Sequence, residues 1–171
     1  MTVIHIYTGN GKGKTTAALG QAFRACGHNW RVIMIQFMKG DPSYGEIKSA
    51  EKLKNFEIHQ FGTKNFVNKN NLSKEDIERA KEGLEFARKI VESGKYDMVI
   101  LDEINVAVDF GLIALEDVLD LLKKVPEETV LILTGRYADE KIFEYADLVS
   151  KIEEIKHPYQ KGISAIEGIE F

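Results

Sequence analysis

The stretch "TVIHIYTGNGKGKTTAALGQAFRA" constrains the fold more than any other part of the chain. An apolar, β-branched run at 3–7 enters a turn holding Gly9, Gly11 and Gly13, and a helix-forming run follows at once. Strand, glycine-rich turn and helix in this order make a phosphate-gripping loop of the form GxxxxGK(S/T). Gly13, Lys14 and Thr15 match the end of that pattern, but Thr8 holds its first glycine position and the glycine has moved to Gly9. The physical essentials survive the shift. Small residues let backbone N–H groups converge on an anion, and the helix from Lys14 points its positive end there. Lys14 brings a compact charge to the phosphates, and the Thr15 hydroxyl can ligate Mg2+. Asn10 and Lys12 add donors. A chance glycine-rich turn is the bland alternative, and the flanking strand and helix weigh against it.

Downstream, strand-like runs alternate with helical ones. "RVIMIQF" (31–37), "MVILD" (98–102) and "VLILT" (130–134) are almost continuously apolar, which suits parallel strands covered on both faces. "FEIHQF" (56–61) alternates more and reads as a strand nearer an edge, and "LVSKIEEI" (148–155) as a late strand. The segment from Ser73 to Gly94 steps its apolar positions by three and four, opens on a capping-box pattern of Ser73 and Asp76, and stops at Gly94. "ALEDVLDLLKKV" and "DEKIFEYA" add further helices, the second shorter. Such alternation predicts a single three-layer α/β domain over residues 1–171, with a mostly parallel central sheet. "KGDPSYGE" (39–46) and "GTKNFVNKNN" (62–71) read as lids at the carboxyl edge of that sheet, where ligands bind in such folds.

"MVILDE" ends an apolar strand in two carboxylates, Asp102 and Glu103. Alone, the pair would be a solvated strand end; downstream of a phosphate loop, a metal role is the better reading, with the nearer carboxylate left open. "LTGR" closes another strand with Arg136, which is either a counter-charge to a triphosphate or a surface salt bridge. Arg24, on the helix after the loop, poses the same choice. His5, His28, His59 and His157 lack metal-ligand spacing.

Charge and cysteine usage narrow the class. A net charge of −4 argues against a general nucleic-acid binder, and the single Cys26 excludes an intrachain disulfide and fits a reducing cytoplasm. No stretch has the length and apolarity of a membrane span, and the N-terminal run lacks the pattern of a targeting signal.

Taken together, "GNGKGKTTAALGQAFRACG", "VIMIQFMKG", "VILDEINVAVDFG", "LILTGRYAD" and the terminal "KHPYQKGISAIEGIEF" resemble the ATP:corrinoid adenosyltransferases of the P-loop type in order and spacing. The likeness covers nearly the whole chain, and Thr8 is what the loop of that family looks like. The resemblance implies a RecA-like P-loop fold, a homodimer, and transfer of the 5′-deoxyadenosyl group of ATP to the Co(I) of a reduced corrinoid, with release of whole triphosphate. It implies triphosphate binding by Gly9, Asn10, Gly11, Lys12, Gly13, Lys14, Thr15 and Thr16, a nucleotide contact at Arg24, and Thr15 and Glu103 on the metal side. Lys14, Thr15 and Arg136 would then carry the leaving-group charge. The family's aromatic beside the corrinoid matches Phe66, whereas Lys64 stands where a second aromatic is expected. An external flavoprotein-type reductase is the implied source of Co(I). The competing reading is a P-loop ATPase or GTPase that hydrolyses nucleotide to drive or signal a partner; the guanine-reading NKxD motif of small GTPases is missing from the sequence.

Overall fold

A computed structural model describes residues 2–171. Six parallel strands form one sheet in the order β3-β2-β4-β5-β1-β6. They are β1 (Val3–Thr8), β2 (Val32–Phe37), β3 (Phe56–Phe61), β4 (Met98–Asp102), β5 (Val130–Thr134) and β6 (Leu148–Lys151). All carboxyl ends therefore lie along one edge. β5 separates β1, which feeds the phosphate loop, from β4, which ends in Asp102.

Two apolar layers cover the sheet, and the alternation along each strand decides which residue serves which layer. Ile33, Ile35 and Phe37 of β2, with Val99 and Leu101 of β4, pack towards α3 (Lys74–Ser93) and α5 (Leu115–Leu122). Val32, Met34, Met98 and Ile100 pack on the other side, against Ala18, Ala22 and Ala25 of α1 (Lys14–Cys26). Small alanines on α1 let that helix sit close to the strands, which fixes the mouth of the phosphate loop over the sheet edge.

The segment from Ser73 behaves as its pattern predicts. The Ser73 hydroxyl accepts from Asp76 N, the Asp76 carboxylate accepts from Ser73 N, and Gly94 closes the helix at φ 60°. β3 is an edge strand. Two short helices escape the sequence reading: α2 (Gly45–Ala50), inside and beyond the predicted lid at 39–46, and α4 (Ile104–Asp109), directly after Glu103. Both are six residues long, too short for a periodic signal. A single turn, α6 (Glu140–Phe143), completes the α-helices, and a 3-10 turn follows at Pro158–Lys161.

The strand predicted at 148–155 ends at Lys151. Its neighbour β1 stops at Thr8 and turns into the loop, so the ladder runs out. Ile152 instead bonds the loop itself: its N–H donates to Thr8 O and its carbonyl accepts from Gly11 N, each at 2.8 Å.

Candidate functional site

The phosphate loop is held from above by the chain that follows β6. A Cβ built on Gly9 would lie 2.3 Å from Ile152 O, and one on Gly11 would lie 2.7 Å from Glu153 C. Gly9 also has φ 98°, a conformation that side chains avoid. Two of the loop's glycines are thus demanded by this backbone crossing, and the Gly11 N–H is committed to Ile152 rather than free for an anion. Thr8, at the shifted position, is buried, and its hydroxyl accepts from Ala138 N at 3.3 Å, tying the loop to the segment after β5.

Asp102 sits behind the loop with no solvent exposure and four donor groups around it. Thr15 Oγ1 donates to Oδ1 at 2.9 Å and Thr134 Oγ1 at 2.7 Å. Lys39 Nζ donates to Oδ2 at 2.7 Å and Gln36 Nε2 at 3.2 Å. Burial alone would raise the Asp102 pKa, but the Lys39 charge and the hydrogen bonds from Lys39, Thr134 and Thr15 outweigh it and hold the carboxyl below its ordinary value. Lys39 shows the matching response: burial acts to lower its pKa, and Asp102 and Glu103 together raise it.

Glu103 occupies a different environment one residue on. It adopts φ 62° at the start of α4, and its N–H donates to Thr134 Oγ1 at 3.0 Å. Burial first, and the neighbouring Asp102 charge second, push its pKa up. Lys14 is only 7% exposed and donates to Gly11 O at 2.6 Å. Its pKa is lowered by burial and by Arg136, against the pull of Glu103 and Asp102. Lys14, Lys39 and Arg136 share this end of the sheet with Asp102, Glu103 and Glu46. Lys39 is taken by Asp102, and Lys14 and Arg136 are the cations left to face a polyanion.

A cavity of about 1310 Å³ opens over this edge. Residues 11–16 line it together with Lys39, Glu103, Arg136 and Phe66, so loop and predicted lid face one space. Phe66 is fully exposed there, and Lys69 beside it is paired with Asp109 of α4 at 2.7 Å. Gly9 and Asn10 are not in the cavity wall, and Asp102 stands behind it. Arg24 lines a separate small depression with Gln21, His28 and Trp30.

The donor set fits a hard divalent cation. Thr15 Oγ1 and Asp102 Oδ1 are hard oxygens already 2.9 Å apart, and Mg2+ needs only one or two such protein oxygens beside phosphate. Among the described residues, no group of three or more His, Cys, Asp and Glu side chains could hold a metal by itself.

Three contributors to the site had no role of their own in the sequence reading: Lys39, placed there only as the first residue of a lid, Thr134, and the C-terminal segment, quoted there only for its resemblance. Lys39 lies two residues past the carboxyl end of β2, and Thr134 ends β5; that placement is the signal each offered. The C-terminal segment reaches Lys12, whose ammonium donates to Ile169 O at 2.8 Å, and Phe171 rests 6.2 Å from the Tyr44 ring. Nothing local in the sequence announces that return.

Comparison with known proteins decides the family. The model for the family described as ATP:corrinoid adenosyltransferase BtuR/CobO/CobP matches residues 1–171. The chain belongs to that family. A corrinoid adenosyltransferase of Sinorhizobium sp is 38% identical over 173 residues, spanning 99% of this chain and 80% of that protein. The corrinoid adenosyltransferase of Escherichia coli (strain K12) is 36% identical, and corrinoid adenosyltransferase CobA of Salmonella typhimurium is 34% identical. Each of these two comparisons spans 99% of this chain and 85% of the relative. As a member of the corrinoid adenosyltransferases, the protein is a transferase. No helix among the described residues is long and apolar enough to cross a membrane.

Proposed function

We propose that this chain, acting as one domain, transfers the 5′-deoxyadenosyl group of ATP to the cobalt of a reduced corrinoid. The observation that carries the reading is the single cavity joining the phosphate loop, backed by the Thr15–Asp102 contact, to Phe66 on the lid. Its volume exceeds the roughly 300–1,000 Å³ of an ordinary small-molecule site, in keeping with two substrates held together.

In the reaction, the lone pair of substrate Co(I) attacks C5′ of ATP and a cobalt–carbon bond forms. The C5′–O bond breaks, its electron pair leaves on the triphosphate, and cobalt becomes formally Co(III). Co(I) has no proton to lose, so no general base is required. The barrier lies in the departure of a highly charged group and in alignment of C5′ with cobalt. Loop amides at residues 12–16, Lys14 at the first turn of α1, and Arg136 beyond β5 stabilise that charge. Mg2+ bound with ATP would supply further neutralisation, with Thr15 and Asp102 as its protein-side oxygens and Glu103 beside them. Phe66 offers an apolar face to the corrinoid ring. The family resemblance supports a homodimer, a flavoprotein-type reductase that delivers Co(I), and a cytoplasmic setting.

Anaerobic incubation with Mg2+, ATP and chemically reduced corrinoid tests the reading. The expected products are a light-sensitive alkyl-cobalt spectrum and whole triphosphate in equal amounts. Orthophosphate with ADP, and an unchanged corrinoid spectrum, would make the chain a nucleotide hydrolase instead.

A further inference from the structure

Lys39 is a strongly engaged charge of the site that the proposed chemistry leaves without a task. Its ammonium lies 2.7 Å from Asp102 Oδ2, its side chain is 19% exposed, and it also forms part of the cavity wall. One of its three N–H groups is used by Asp102, and the ion faces the space that residues 11–16 share. Gln36 Nε2 shares Oδ2 with it and also donates to Glu46 of α2 at 3.2 Å, while Thr15 and Thr134 occupy Oδ1. Asp102 is therefore fully partnered by the protein. A buried carboxylate next to a metal-competent hydroxyl would otherwise attract any free divalent cation.

We propose that Lys39 is a positioning residue that serves as a resident counter-cation. It neutralises Asp102 so that the site takes a divalent cation only together with the triphosphate, and it turns its remaining N–H groups to that triphosphate. The pairing decides the order in which charge enters the cavity. With Asp102 balanced by Lys39 and both its oxygens taken by protein donors, a lone dication meets Lys14 and Arg136 opposite Glu103 and Glu46, finds no unpartnered Asp102 oxygen, and binds weakly. A polyphosphate meets the same cations as partners, and brings the oxygens that complete a metal's shell. A merely structural lysine would stabilise the fold without altering this order.

The inference rests on Thr15 and Asp102 as the metal side, and its test contains no corrinoid, so a failure of adenosyl transfer is distinguishable from a failure here. Electron paramagnetic resonance measures Mn2+ binding to the nucleotide-free protein, and calorimetry measures ATP binding in the presence of EDTA. Lys39→Met removes the charge, Lys39→Gln keeps a donor to Asp102 and guards against a folding defect, and Lys39→Arg keeps the charge. In the Met and Gln variants Mn2+ affinity should rise about tenfold or more, and metal-free ATP affinity should fall about tenfold, with Lys39→Arg close to the native protein. The gain in Mn2+ affinity should vanish when Asp102→Asn is added to Lys39→Gln. Unchanged or reduced Mn2+ affinity in Lys39→Gln, a gain that survives Asp102→Asn, or unchanged metal-free ATP affinity each overturns the proposal.

Discussion

Thr15 and Asp102 are 87 positions apart in the chain, yet the threonine hydroxyl donates to Asp102 Oδ1 at 2.9 Å. The contact crosses two strand boundaries, because β5 lies between the strand that feeds the loop and the strand that ends in Asp102. Thr134, at the end of that intervening strand, donates to the same oxygen and accepts from Glu103 N, so it braces the Asp102 carboxylate and the Glu103 backbone. The phosphate loop, the Asp102 carboxylate and the Glu103 backbone are thereby tied together by hydrogen bonds.

Asp102→Asn should harm both stability and catalysis. The substitution leaves Lys39 without its counter-charge in a largely buried place, and breaking such a pair costs about 3 kcal/mol. Urea denaturation should show a lower midpoint at unchanged slope, and the KM for Mg·ATP should rise well above that of the native protein.

Gly9→Ala tests the backbone crossing. A methyl group there meets Ile152 O at 2.3 Å with φ 98°, so both the clash and the strained conformation count against it. We expect a loss of about 2–3 kcal/mol, read as a drop of roughly 2–4 °C in Tm per kcal/mol. Asn10→Ala, at the exposed neighbour, should leave stability within about 0.5 kcal/mol of native.

The two ends of the cavity should separate in kinetics. Lys14→Ala removes a buried cation from the leaving-group end and should lower kcat by about 100-fold or more. Phe66→Ala should leave ATP binding, followed by calorimetry, unchanged while raising the KM for the corrinoid. Equal loss of ATP binding in both variants would show that the ends do not act separately.

Glu103 gives stability a specific pH dependence. Its folded pKa is raised above the ordinary carboxyl value by burial and by Asp102. The folded state therefore holds the Glu103 proton more tightly than the unfolded state does. The associated stability is present in full below the unfolded value of about 4.3 and is lost as pH rises through the folded pKa. Glu103→Gln removes the ionisation. Thermal melts should show this variant more stable than the native protein at pH 8, with the gap closing as pH falls towards about 4. Asp102, whose pKa is lowered, acts with the opposite sign: its contribution is present above the ordinary carboxyl value of about 3.9 and is lost only as pH falls through its folded pKa.

The sequence by itself determined the strands, the long helices, the phosphate loop and the Asp102–Glu103 strand end. Each has a local cause: β-branched runs for β1, β2, β4 and β5, a capping box at Ser73, glycine beside lysine at Gly13 and Lys14. Tertiary structure alone decided the order β3-β2-β4-β5-β1-β6, and with it which strand ends meet. It also decided the pairing of Lys39 with Asp102, the brace at Thr134, and the passage of Ile152 over Gly9 and Gly11. Such contacts join residues distant in the chain, and their energy depends on a geometry that exists only after the sheet has assembled. Periodicity and turn chemistry report a residue's own backbone, so they carry no record of a partner 63 positions away.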